Sequence, residues 1–143
     1  GEKVLELAKP INAMPLSITI LDKTGQTKYL LNEDGTGLMR NDISFGKAWT
    51  CLAMGFSSRE LTANLDARRQ FLASLSTASK GKMIHAPGGI LIIDKHSKQV
   101  VGSMGISGDT SYRDEYLAIM ACQQCGYQTS PNSPHPNYLK SHL

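Results

Sequence analysis

Two pairs of short apolar segments, each pair joined by a turn too short for a crossover, most restrict what this chain can fold into. Leu16–Leu21 (LSITIL) carries β-branched residues and reads as a strand. Asp22-Lys23-Thr24-Gly25 is a turn, and Gln26–Leu31 (QTKYLL) follows as its partner. Ile90–Asp94 and Gln99–Ile106 repeat the arrangement around the polar turn Lys95–Lys98. Parallel strands need a connection of a dozen or more residues, so turns this short impose antiparallel pairing.

Helical patterns separate and follow these pairs. Asp42 or Ser44 is positioned to cap a helix running to about Phe56. Its apolar residues Phe45, Ala48, Trp49, Leu52, Ala53 and Phe56 fall on one face. SRELTANL after Ser57 predicts a short helix, and a further helix is expected from Asp66 to Ser79, with Phe71, Leu72 and Leu75 as its apolar face and Gly81 as its stop. Met83–Ala86 reads as a brief extended piece before the sharp loop Pro87-Gly88-Gly89. A last helix is expected from Ser111 to Cys125, with Ser111 and Asp114 in a capping-box relation. The order strand, strand, helices, strands, helix predicts an α+β domain with one antiparallel sheet between helical layers.

At 143 residues the chain suits one domain able to bury a core without disulfides or metal. The expected division is a single domain over 1–128 and a flexible Pro/Ser-rich tail over 129–143, where TSPNSPHPN excludes helix. A formal charge of +3, scattered along the chain, makes no basic stripe for nucleic acid, and no apolar run approaches the ~20 residues of a membrane span. Three cysteines do not build a secreted disulfide framework, which points to a reduced intracellular compartment, cytoplasmic or peroxisomal. The peroxisomal option rests on the terminal Ser141-His142-Leu143, close to an SKL-type address; a frayed tail ending in these letters by accident is the other reading. The chain starts at Gly1 rather than Met, so a preceding segment is expected to have been lost or replaced.

Four places carry candidate chemistry. Gly102, Gly105 and Gly108 punctuate a strand and its exit loop, which implies close approach of another backbone; crowding under the final helix is the structural explanation. Loop 107–110 opens a helix N-terminus, where free N–H groups favour a carboxylate or phosphate. His85 lies beside an apolar segment and a Gly-Gly loop, where a neutral imidazole can ligate haem iron or act as an acid or base; a surface histidine is the alternative. Lys47, inside an apolar helix, is expected to pair an acid such as Asp34, to form a Schiff base, or to snorkel to the surface. Cys122 and Cys125 form a C-x-x-C at a helix C-terminus, where the dipole opposes a thiolate, so they read as packing residues. No histidine pair has metal-ligand spacing, and no nucleophile–base grouping follows from the spacing.

Three of these segments carry a family resemblance. DISFGKAWTC (Asp42–Cys51), PGGILI (Pro87–Ile92) and VVGSMGISGDTSYRDEYLA (Val100–Ala118) resemble the GlcG/HbpS family, which takes in OrfY-type proteins and the C-terminal domain of PduO-type adenosyltransferases. ILDKTG (Ile20–Gly25), NEDG (Asn32–Gly35) and Arg113-Asp114-Glu115 extend the likeness over roughly residues 15–122. The resemblance implies a profilin-like three-layer α-β-α sandwich with a five-stranded antiparallel sheet, a homo-oligomer, and binding or degradation of haem. Two departures stand out. The early segment EKVLELAKPINAMPL has no histidine, where haem-binding relatives are thought to use one in the N-terminal helix, and the loop's proline precedes Gly88-Gly89 instead of following it. The expected ligand-binding set is Asp34, Lys47, His85, Gly88, Gly89, Ser107, Gly108 and Asp114, with loops 87–89 and 107–110 meeting beside Lys47. Met83 and Met104 are further soft-ligand candidates. The ligand expected is haem, another tetrapyrrole or a small molecule; the alternative is an enzyme or accessory acting on a small organic acid. A structural oligomer, its glycines serving packing alone, is the third reading.

Overall fold

The computed structural model describes residues 1–65 and 68–140, so the terminal tripeptide and the first residues expected of the third helix lie outside the described residues. The elements are α1 (Glu2–Ala8), β1 (Ser17–Asp22), β2 (Thr27–Asn32), α2 (Leu38–Met54), α3 (Ser58–Leu65), α4 (Arg69–Ala78), β3 (Gly89–Ile93), β4 (Val100–Ser107), α5 (Ser111–Gln124) and β5 (Gln128–Ser130). The strands form one antiparallel sheet in the order β2-β1-β4-β3-β5. The expected α+β architecture is the one observed.

Side chains alternate across a strand, so each strand serves two layers. Ile18, Ile90, Ile92, Met104 and Ile106 join Val4 of α1 and Leu117, Ala118 and Ile119 of α5 in the main apolar core. Full burial of a residue such as Ile or Leu is worth ~1.5–3 kcal/mol, which makes this face the principal source of cohesion. The opposite face is polar where α2 crosses it. The hydroxyl of Ser44 lies 2.9 Å from that of Ser17 and 2.8 Å from that of Thr19, and Ser103 donates to the Ala48 carbonyl at 2.8 Å. Thr19, Gly105 and Gly89 lie in one row across three strands. A Cβ on Gly105 would run into the Ser44 carbonyl, and one on Gly89 into the Lys47 carbonyl. Gly105 and Gly89 therefore admit α2, not the final helix, at short range, while Gly102 lies against the Leu21 carbonyl and Gly108 against that of Pro15.

Three boundaries differ from the sequence reading. Helix α2 begins at Leu38, four residues before Asp42, because Gly37 is its N-cap; Ser44 lies inside the helix and is buried. Thr110, not Ser111, caps α5, accepting from the Arg113 N–H at 3.3 Å. Strand β5 pairs with β3 across the expected boundary at 128/129, so the fifth strand comes from the stretch read as a flexible tail. Residues 131–140 then lie along α5, held by Gln123, whose side-chain amide donates to the Asn132 carbonyl at 2.7 Å.

Candidate functional site

Lys47 emerges from α2 at the end of the sheet and crosses to the opposite layer. Its ammonium donates to the Ile106 carbonyl at 2.8 Å and to Asp114 Oδ2 at 3.3 Å. The two side chains are 3% and 1% exposed. Gly88 makes room: its φ is +125°, and a Cβ there would sit 2.6 Å from the Lys47 nitrogen. The Gly88 carbonyl accepts from the Ile106 N–H at 3.0 Å, so the two loops expected to converge on Lys47 do so. Burial pushes Lys47 down from its ordinary range, opposed by the Asp114 charge. Burial likewise pushes Asp114 up to about 6, opposed by Lys47. Lys47 does not pair Asp34, as expected from the sequence. Asp34 is exposed in the turn after β2, and the partner is supplied from 67 residues away.

The helix N-terminus expected to take an external anion holds the protein's own. Asp114 Oδ1 accepts from the Asp109 N–H at 3.0 Å, Asp109 accepts from the Thr110 N–H at 2.7 Å, and Thr110 caps the Arg113 N–H. Ser107 is buried and accepts from Arg40 Nη1 at 3.2 Å, while Gly108 packs against the Pro15 carbonyl. Lys47, Gly88, Gly89, Ser107, Gly108 and Asp114 thus form a closed polar joint between the layers. Glu115, next in the chain, is also buried, with Arg59 Nε at 3.3 Å; burial pushes its carboxyl up to about 7. In the sequence Glu115 stands out only within the Arg113-Asp114-Glu115 likeness, and nothing there signals its burial.

His85 is exposed and stands apart from this joint. It lines a groove of about 630 Å³ between α4 and the segment 83–86, together with Arg69, Leu72, Ala73, Met83 and Ala86. Helix α4 buries none of its residues, and its Leu72 and Leu75 are only half-buried, which leaves the groove open. Ile84 lines the groove as well and also ties the segment to α2: its N–H donates to Thr50 Oγ1 at 2.9 Å and its side chain packs against Gly46. Arg69 and Leu72 were not among the expected site residues; the adjacent Arg68-Arg69 pair opening an apolar helix was the available signal.

A second cavity, of about 400 Å³, lies at the far end of the sheet among Ile20, Met104, Cys122, Cys125 and Tyr127. Burial pushes the Cys51 and Cys122 thiols up to about 12, so neither is a nucleophile at neutral pH. Among the described residues no three His, Cys, Asp or Glu side chains are placed to hold a metal ion, and no helix is long and apolar enough to cross a membrane.

A layered sandwich of this topology is one that known proteins share. The chain belongs to the HbpS-like family, whose model, described as haem degrading protein HbpS-like, matches residues 1–123. It is 26% identical over 108 residues to an uncharacterized 15.0 kDa protein from the dhaT-dhaS intergenic region of Citrobacter freundii, a match covering 76% of this chain and 74% of that one. The fold is similar to that of a PduOC:heme complex, with a TM-score of 0.80 and 23% identity over 90% of this chain and 91% of that one. It is also similar to Klebsiella pneumoniae ORFY, with a TM-score of 0.76 and 27% identity over 87% and 82% of the two chains. A double mutant of Streptomyces reticuli HbpS gives a TM-score of 0.70 and 21% identity over 87% and 80%.

Proposed function

We propose that this chain binds haem or a related tetrapyrrole in the groove between α4 and residues 83–86, with His85 as the residue that would hold the iron. The observation that carries the reading is the groove's composition. An exposed imidazole and a thioether line it from one short segment, and Leu72, Ala73, Ile84 and Ala86 supply apolar wall. Its volume, about 630 Å³, falls within the ~300–1,000 Å³ of small-molecule and cofactor sites. This donor set fits the group. His85 is a nitrogen ligand of the type haem iron takes, Met83 a soft neighbour, and Arg69 a cation suited to a propionate. The family description and the haem carried by the similarly folded PduOC support the same ligand class.

Bound haem would supply a redox-active iron; the chain's own groups bind and orient. His85 would hold the iron, Arg69 would set the edge carrying the carboxylates, and the Ile84–Thr50 contact would keep the ligand-bearing segment in place. The absence of a histidine in α1 makes His85 the residue on which the reading turns.

The test is a haemin titration followed at the Soret band, with wild type, His85→Ala and an unrelated basic protein side by side. A saturable, shifted band in wild type that weakens at least tenfold in His85→Ala is expected. A band of equal strength in all three is adsorption and overturns the reading.

A further inference from the structure

The geometry points to a second binding site, a tyrosine shelf on α5 for planar aromatic carboxylates that the chain's own C-terminal strap occupies. Tyr112 and Tyr116 are four residues apart and share one face of the helix. Residues 131–140 run along that face after β5. His135 stacks on Tyr112 with ring centroids 3.8 Å apart and planes 4° from parallel. Tyr138 stacks on Tyr116 at 4.2 Å and 13°. Two guanidinium groups border the shelf, and the strap gives each an oxygen: Arg59 Nη2 donates to the Ser133 carbonyl at 3.2 Å and Arg113 Nη2 to the Leu139 carbonyl at 3.3 Å. The strap therefore presents flat rings to the tyrosine faces and oxygen acceptors to the cations. A planar aromatic carboxylate presents the same groups in one molecule.

The strap fills the shelf imperfectly. Glu115 is held by Arg59 Nε at 3.3 Å, and Arg113 Nη1 lies 3.6 Å from Asp109, but the buried Arg113 Nε has no hydrogen-bond partner. Buried polar groups are normally paired, so this N–H calls for an acceptor the strap does not provide. The ligand class is thus a planar aromatic ring carrying a carboxylate as that acceptor. The strap is displaceable because its ladder pairing ends at Ser130; beyond that it is held by stacks and single hydrogen bonds. The site shares no residue with the His85 groove and does not depend on it.

The experiment is a fluorescence titration of the full chain with a hydroxynaphthoate, comparing wild type with the His135→Ser/Tyr138→Ser double variant. Opening the shelf is expected to tighten binding at least tenfold, and adding Tyr112→Ser to abolish the gain. In wild type, saturating probe is expected to raise amide hydrogen exchange across residues 133–140. Equal binding by wild type and the double variant overturns the proposal. Should the double variant fail to fold, the wild-type exchange decides: unchanged exchange at saturation overturns it. His85→Ala, which disables only the groove, is expected to leave this titration unchanged.

Discussion

Lys47 and Asp114, 67 residues apart in sequence, meet at 3.3 Å with both side chains out of solvent, and they join the two helical layers around the end of the sheet. A buried ion pair need not stabilise relative to an apolar pair, but breaking one side of it costs ~3–5 kcal/mol because a charge is left buried alone. Lys47→Met is therefore expected to lose about that much in urea unfolding. Lys47→Met/Asp114→Asn, which leaves no stranded charge, is expected to recover a large part of the loss. Equal losses in the two variants would show that the pair acts through packing alone.

The row Thr19–Gly105–Gly89 sets a second expectation. A methyl on Gly105 meets the Ser44 carbonyl and the Ala48 backbone nitrogen, neither of which can turn aside as a side chain would. Overpacking of this kind costs ~1–3 kcal/mol and occasionally more. Gly105→Ala is expected at the upper end of that range by thermal or urea unfolding. Gly25→Ala provides the contrast: its Cβ meets nothing within 4 Å, and only the φ of +87° opposes it.

Much of this fold is legible in the sequence because the signals are local. The Asp22–Gly25 turn and the β-branched run LSITIL mark the first hairpin, and apolar residues at helical spacing mark α2, although of its expected apolar face only Ala48 is buried and the helix instead buries Ser44, Gly46, Lys47, Thr50 and Cys51 with it. What the sequence hides depends on distant partners. Leu38 and Met39 are 97% and 70% exposed, so the first turn of α2 shows no apolar period, and Gly37 caps it without a side chain. Strand β5 is three polar residues whose strand character comes from pairing with Leu91–Ile93. Asp34 is the acid expected beside Lys47 from the sequence, whereas Asp114 reaches it only once α5 has packed over β4. Loops 87–89 and 107–110 do meet beside Lys47, but only the fold reveals that they close on each other and that His85 faces a separate groove.

Thr110 offers a test of where α5 starts. Its side chain accepts from the Arg113 N–H at 3.3 Å, and its position brings Asp109 and Asp114 into the same turn. Loss of an N-cap oxygen costs ~0.5–2 kcal/mol. Thr110→Ala is expected to lose about 1 kcal/mol, while Ser111→Ala, at the cap position expected from the sequence, should stay within about 0.5 kcal/mol of wild type. Reversed effects would return the cap to Ser111.

Glu115 makes stability fall as pH rises. Burial is the largest influence on its carboxyl and pushes it from an ordinary 4.5 up to about 7, with the Arg59 charge opposing. The folded state therefore holds the proton more tightly than the unfolded chain. The contribution is fully present below the unfolded value of 4.5 and is lost as pH rises through about 7. A tenfold difference in proton affinity between the two states is worth ~1.4 kcal/mol, so the loss across this window is on the order of 1–3 kcal/mol. Asp114 moves in the same direction but titrates with Lys47, so the clean measurement is a difference between proteins. Urea midpoints of wild type and Glu115→Gln, taken from about pH 5 to about pH 8, isolate the Glu115 part because Gln has no proton to release. Glu115→Gln is expected to gain on wild type as pH rises to about 7 and to hold that gain above it. A constant gap between the two would mean that the carboxyl stays ionised beside Arg59 throughout.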